Sequence, residues 1–294
     1  MRNRKLVYRI LFFAFLLFGV VPYILSLQMT RTSSEPRRCL TPLQCWDMAY
    51  EDFTVRTRDR VRISGWFVSA GKTARANMIL IHGFGSNRGQ MTDAVPFLIK
   101  NGCNAVLFDL RGHGKSGKAL CTLGDHEQMD VAAVARYVRG QNSLPALLWG
   151  TSLGGTLAVL SARESGARAV ISESAFTTLN SVVTRHAGMY YGLPRFPMVP
   201  LTLLMYRLRT GASPGRINVL REVSAPGFPP LLLVGCGEDR RVPPARTREI
   251  FDAAAGEKDI LIVPGARHGE PLLFKRKAYH QALVEFLNRW IPGS

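Results

Sequence analysis

The stretch Ala146-Leu147-Leu148-Trp149-Gly150-Thr151-Ser152-Leu153-Gly154, continued by Thr156-Leu157-Ala158-Val159-Leu160, reads as an apolar strand, a sharp turn and the start of a helix. A serine at such a turn sits in strained backbone geometry with its hydroxyl pushed out at the sheet edge. The flanking glycines allow strand and helix to approach without a clash. Ser152 is therefore the candidate nucleophile. A Gly-x-Ser-x-Gly pentapeptide also arises in ordinary loops, so the strand before it and the helix after it give it its weight.

A serine hydroxyl is a poor nucleophile at neutral pH and needs a base within hydrogen-bond reach and a third group to orient that base. In a strand-turn-helix elbow the partners follow downstream, acid first and histidine second, each just after a later strand. The strand Leu231-Leu232-Leu233-Val234 leads into Gly235-Cys236-Gly237-Glu238-Asp239, and Ile260-Leu261-Ile262-Val263 leads into Pro264-Gly265-Ala266-Arg267-His268. Asp239 is the candidate acid and His268 the candidate base. Glu238 and Glu173 compete for the acid's place. His82, His113, His126, His186 and His280 do not follow the last strand. Acyl transfer also needs donors for the developing oxyanion. The amide of Leu153, at a helix start, is one candidate. The amide of Phe84, in His82-Gly83-Phe84-Gly85, is the other, although that tetrapeptide also reads as a plain strand-to-helix turn.

Taken in order, these motifs resemble those of the α/β-hydrolase superfamily from about Phe53 to Ile291. Asp109-Leu110-Arg111-Gly112-His113-Gly114-Lys115-Ser116 looks like that family's Asp-x-Arg-Gly-His-Gly-x-Ser segment, which braces the loops beneath the site. The turn Glu173-Ser174-Ala175-Phe176, a modest insertion and the apolar N-terminus look most like the Bem46-like hydrolases. That group contains membrane-tethered esterases, lipid hydrolases and protein depalmitoylases. The resemblance implies a serine hydrolase acting on carboxylic esters or thioesters with an acyl chain, without a cofactor. A peptidase of the same fold and a non-catalytic membrane-tethered binding module remain the alternatives.

Strands alternate with helical patterns along the chain, which predicts an α/β-hydrolase fold: a mostly parallel, wound sheet flanked by helices, with its site at the C-terminal strand edge. One domain is expected over residues 51–294, with a cap over about 176–228. In the cap, an irregular proline-rich stretch from Gly192 to Pro200 precedes a short helix whose apolar face lines a tunnel, meets lipid or packs on the sheet.

Residues Ile10 to Leu27 carry no charge and are long enough for a tilted membrane span, preceded by Arg2, Arg4, Lys5 and Arg9. The positive-inside rule keeps that tail cytoplasmic and places the body on the far side, periplasmic or extracellular/lumenal, although Arg31, Arg37 and Arg38 reduce the asymmetry. A cleaved signal is the competing reading, but the positions before a cut hold Leu25, Leu27 and Met29. Residues 1–27 are thus read as tail and anchor, and 28–50 as a polar stalk. In the stalk, Cys39 and Cys45 lie close enough in sequence to pair in an oxidising compartment. Cys103, Cys121 and Cys236 read as small buried hydrophobes. No Cys/His spacing suggests a metal site. The net charge of +17 is spread over the chain rather than gathered in a stripe with stacking aromatics. That pattern suits an anionic bilayer surface better than nucleic acid.

Overall fold

Eight apolar or alternating segments form one sheet in a computed structural model that describes residues 2–32, 41–270 and 277–291. The strands are β1 (Glu51–Arg56), β2 (Arg62–Val68), β3 (Ala76–Ile81), β4 (Cys103–Phe108), β5 (Ala146–Thr151), β6 (Val170–Glu173), β7 (Leu231–Cys236) and β8 (Lys258–Val263). Their spatial order is β1-β2-β4-β3-β5-β6-β7-β8. β1 and β2 form the expected hairpin, β2 lies antiparallel to β4, and every later pairing is parallel. This is the mostly parallel α/β-hydrolase sheet anticipated from the motif order.

β3, β4, β5 and β7 are buried at every residue, as their unbroken apolar runs require of strands covered by helices on both faces. Alternation divides the side chains between two cores. Ile79, Ile81, Val106, Phe108 and Leu148 enter one, while Met78, Leu80, Ala105, Leu107 and Trp149 enter the other. The helix Glu127–Gln141 covers the first face, and the closing helix Lys277–Trp290 covers the second through Tyr279, Leu283, Phe286 and Leu287. Cys103, Cys121 and Cys236 are buried thiols. Cys39 lies outside the described residues.

Between β6 and β7 the chain leaves the sheet and builds the cap from the helices Leu179–Tyr191 and Met198–Thr210 and the short helix Val219–Ser224. Thr178 opens it with a capping box through Ser181, and Gly192 at φ 62° ends the first helix.

The N-terminal residues are helical over Arg2–Phe15 and Val21–Thr30, joined by a π-helical turn, Leu16–Val20. Pro22 has no N–H to offer Phe18, and the widened turn closes instead through the Val21 amide on the Leu16 carbonyl. Arg4–Thr30 is long and apolar enough to cross a membrane by length and composition, with mean hydropathy 2.5 in its most apolar window. The helix extends three residues past the expected anchor end. The segment read as a stalk touches the rest of the molecule at both described ends. Thr32 donates to the Gly112 carbonyl at 2.6 Å, and Met48 and Tyr50 pack against the second core.

Candidate active site

The turn after β5 is as tight as its glycines suggest. A Cβ at Gly150 would lie 2.1 Å from the Gly154 carbonyl oxygen, and one at Gly154 would lie 2.0 Å from that of Ile81. Both distances are far inside van der Waals contact, so only glycine fits at either position. Between them Ser152 takes φ 56°, ψ −116°, a conformation that costs of the order of 1–3 kcal/mol and is held by its surroundings. One holding contact is the Ser152 amide on the Glu173 carbonyl at 2.8 Å. The result points the Ser152 side chain out of the sheet edge at the start of the helix Leu153–Leu160.

The loops after β7 and β8 reach the same edge. His268 Nε2 lies 2.9 Å from Ser152 Oγ, and His268 Nδ1 lies 2.5 Å from Asp239 Oδ2. With Asp239 as the acceptor, Nδ1 carries the proton and Nε2 is left to accept from the serine. Asp239 is 4% exposed. Its other oxygen accepts from the Arg241 and Val242 amides at 2.9 and 2.8 Å. Burial works against its charge, but the His268 contact and the two amides outweigh it and hold the carboxyl below its ordinary range. The competitors are placed elsewhere. Glu238 is 60% exposed beside Arg267. Glu173 is half-buried, where partial loss of water raises its pKa, and it accepts from Trp149 Nε1 at 2.8 Å and from the Tyr279 hydroxyl.

The loop after β3 passes on the other side of Ser152, so close that a Cβ on Gly83 would lie 3.5 Å from the serine Cβ. The amides of Phe84 and Leu153 have no acceptor among the described residues. Gln90, which carries no sequence signal, and two histidines from the quoted motifs support this loop. Gln90 accepts from the Gly83 amide at 2.7 Å. His113 Nε2 accepts from Gly85 at 3.2 Å while its Nδ1 donates to the Arg111 carbonyl at 2.9 Å. His82 does the same one turn deeper, accepting from the Leu110 amide at 3.0 Å and donating to the Gly83 carbonyl at 2.8 Å. The Asp109 segment braces the arrangement as its resemblance implied: Asp109 accepts from the Arg88 and Lys115 amides at 2.8 and 2.7 Å. Arg111 is clamped between Asp59 and Asp130.

A cavity of about 480 Å³ opens over Ser152 and His268, with Phe84, Leu123, Phe176, Val183 and Val242 among its apolar walls. No carboxylate lines it among the described residues. His186, from the first cap helix, also faces it, and its Nε2 is buried without a partner among the described residues. Burial, with the Arg241 charge nearby, lowers its pKa to about 4, so the ring is neutral at ordinary pH. His280 instead stacks edge-on against Phe97.

Comparison with known proteins agrees with this architecture. Residues 72–205 match the model of the Hydrolase_4 family, described as serine aminopeptidase, S33. An uncharacterized Mycobacterium tuberculosis protein is 28% identical over 247 residues, covering 81% of this chain and 79% of that protein. Protein bem46 of Schizosaccharomyces pombe is 21% identical over 252 residues, covering 82% of this chain and 78% of that protein. Among solved structures, the Pyrococcus furiosus esterase Pf2001 superposes with a TM-score of 0.72 at 23% identity, over 89% of this chain and 99% of that one. The sheet order, the glycine-bounded turn and the breadth of these matches give this chain the α/β-hydrolase fold and make it similar to the Bem46-like proteins of that superfamily.

Proposed function

We propose that the chain is a membrane-anchored serine hydrolase that cleaves carboxylic esters or thioesters through an acyl-enzyme on Ser152. The observation that carries this reading is the continuous hydrogen-bonded chain from Ser152 Oγ through His268 to Asp239. His268 Nε2 takes the hydroxyl proton as Ser152 Oγ attacks the carbonyl carbon. Asp239 keeps the ring in the required tautomer and stabilises the imidazolium. The Leu153 and Phe84 amides receive the oxyanion, helped at Leu153 by the positive end of the helix dipole. Collapse of the tetrahedral intermediate expels the alcohol or thiol, which takes the proton from His268. Water then attacks the acyl-enzyme by the same steps and regenerates the serine.

The apolar walls favour an acyl chain as the bound part of the substrate. A peptidase that gripped a free amino terminus would need a carboxylate in the cavity. None lines it among the described residues, and Arg241 does. We further propose that residues 1–27 form a single-pass anchor and that 51–294 form the hydrolase body on the non-cytoplasmic side, its basic surface facing anionic lipid. A serine-directed fluorophosphonate should label the native chain and not Ser152→Ala, and this substitution should lower kcat on a p-nitrophenyl ester by at least about 10⁴-fold. Equal labelling of both chains removes the assignment.

A further inference from the structure

The N-terminal helix is seated on the cap. Its residues Pro22, Ser26 and Thr30, spaced by four, form a buried stripe, the spacing that puts side chains on one helix face. Against this stripe lies the second cap helix, whose Arg209 Nη1 donates to the Ser26 carbonyl at 2.8 Å and to the Ser26 and Thr30 hydroxyl oxygens at 3.2 Å each. The Tyr191 hydroxyl donates to Gln28 Oε1 at 2.6 Å from the first cap helix. A helix that only tethered the body would have no use for a buried polar stripe matched to a fixed cation.

One step round the helix from that stripe, Leu25 and Met29 are half-buried and line the same cavity that holds Ser152 and His268. Leu25 lies near the end of the uncharged run Ile10–Leu27 and Met29 two residues past it; the 18 residues of the run rise by about 27 Å and so match a hydrocarbon layer of roughly 30 Å. That run therefore ends at the bilayer surface where the cavity begins. Around it the cap exposes Tyr190, Tyr191 and Phe196, aromatic residues of the kind that settle at a membrane interface.

We infer that the outer turns of the anchor form one wall of the acyl pocket, that Leu25 and Met29 set acyl-chain selectivity, and that the substrate is a long-chain amphiphile drawn from the bilayer. This rests on the hydrolase reading above. An acyl tail leaving the lipid layer along the anchor stays in apolar surroundings until its carbonyl reaches Ser152, so no apolar surface is exposed to water on the way. A helix that forms a pocket wall also explains why it is fixed to the cap by a multidentate arginine rather than left to move as a tether.

The test uses the full chain in phospholipid nanodiscs, with Leu25→Trp and Met29→Trp filling the wall and Leu27→Trp, on the exposed face, as the control. For the two wall variants, kcat/KM on decanoyl esters should fall by at least about tenfold while acetyl esters stay within about threefold, as expected when a pocket loses room for methylenes. The control should match the native chain. Unchanged chain-length profiles, or equal losses on acetyl and decanoyl esters, overturn the inference. A short-chain fluorophosphonate read in parallel separates the two claims: labelling that survives Ser152→Ala sinks the hydrolase reading. A diazirine-bearing fatty acid, photolysed in the nanodisc, tests the wall without any turnover. Adducts on Leu25 or Met29 support it, and adducts confined to the opposite face of the helix oppose it. Long-chain monoacylglycerol and S-palmitoyl peptide in the same discs distinguish a lipid from a lipidated protein as donor. Cleavage of either supports membrane delivery, whereas cleavage of neither by a chain that hydrolyses soluble acetyl esters contradicts it.

Discussion

At the scale of single residues, the candidate acids differ in direction rather than in type. Glu238 and Asp239 are neighbours at the end of β7, yet the Glu238 amide bonds to the Ala266 carbonyl and its side chain goes to solvent. Asp239 turns inward onto two amides and an imidazole. Order along the chain favoured Asp239, and only the fold could say which neighbour faces the ring. Glu173 stands at the end of β6 and is committed to Trp149 and Tyr279 on the far face of the sheet. On the proposed mechanism, Asp239→Asn should lower kcat by about 10⁴-fold, because the amide favours the wrong imidazole tautomer. Glu173→Gln should leave kcat within about threefold. Steady-state kinetics on one ester decides this, and the reverse ranking would move the orienting role to Glu173.

At the scale of elements, the loop after β3 is braced by polar side chains that are already committed, which leaves the Phe84 amide without an acceptor among the described residues. His82 and His113 both serve as neutral rings with one nitrogen accepting and one donating, an arrangement that protonation would break. Burial, reinforced by the neighbouring His113 ring and the Arg88 charge, lowers the His82 pKa from 6.5 to about 3. The unfolded chain therefore binds a proton near pH 6.5 that the folded chain refuses until about pH 3. The stabilisation is complete above pH 6.5 and falls as pH drops through that window, by about 1.4 kcal/mol per unit for this ring alone. Denaturation midpoints of the full chain should fall steadily between pH 6.5 and pH 4, and a flat profile there would contradict a buried neutral His82. The His-Gly-Phe-Gly sequence pointed to a loop at the site, but nothing in it identified His82 as a brace. The role of Gln90 had no signature at all, since a glutamine in a short 3₁₀ turn looks like surface.

At the scale of the whole molecule, the N-terminal helix, on the reading proposed above, links the membrane to the chemistry. Arg2, Arg4, Lys5 and Arg9 precede it, which places the tail inside and the hydrolase body outside on the reading proposed above. An epitope at the C-terminus should then be reached by antibody on intact cells or spheroplasts, while one at the N-terminus should need permeabilisation. The opposite pattern would show that Arg31, Arg37 and Arg38 dominate. Pro22, Ser26 and Thr30 recur every four residues across the end of the segment read as anchor and the start of that read as stalk, among large apolar side chains. Small and polar residues at that period mark the side of a membrane helix that meets protein.

What the chain announces on its own is local: an apolar run, a glycine-bounded serine turn, the succession of strand ends carrying Asp239 and His268, and an uncharged helix behind a basic tail. Backbone sterics and the periods of strand and helix write these into neighbouring residues. The contacts that assemble the pocket join residues 163 and 183 positions apart, Gln28 with Tyr191 and Ser26 with Arg209. Sequence spacing carries no trace of such pairs, because they exist only once the sheet has closed and the cap has been laid across its edge.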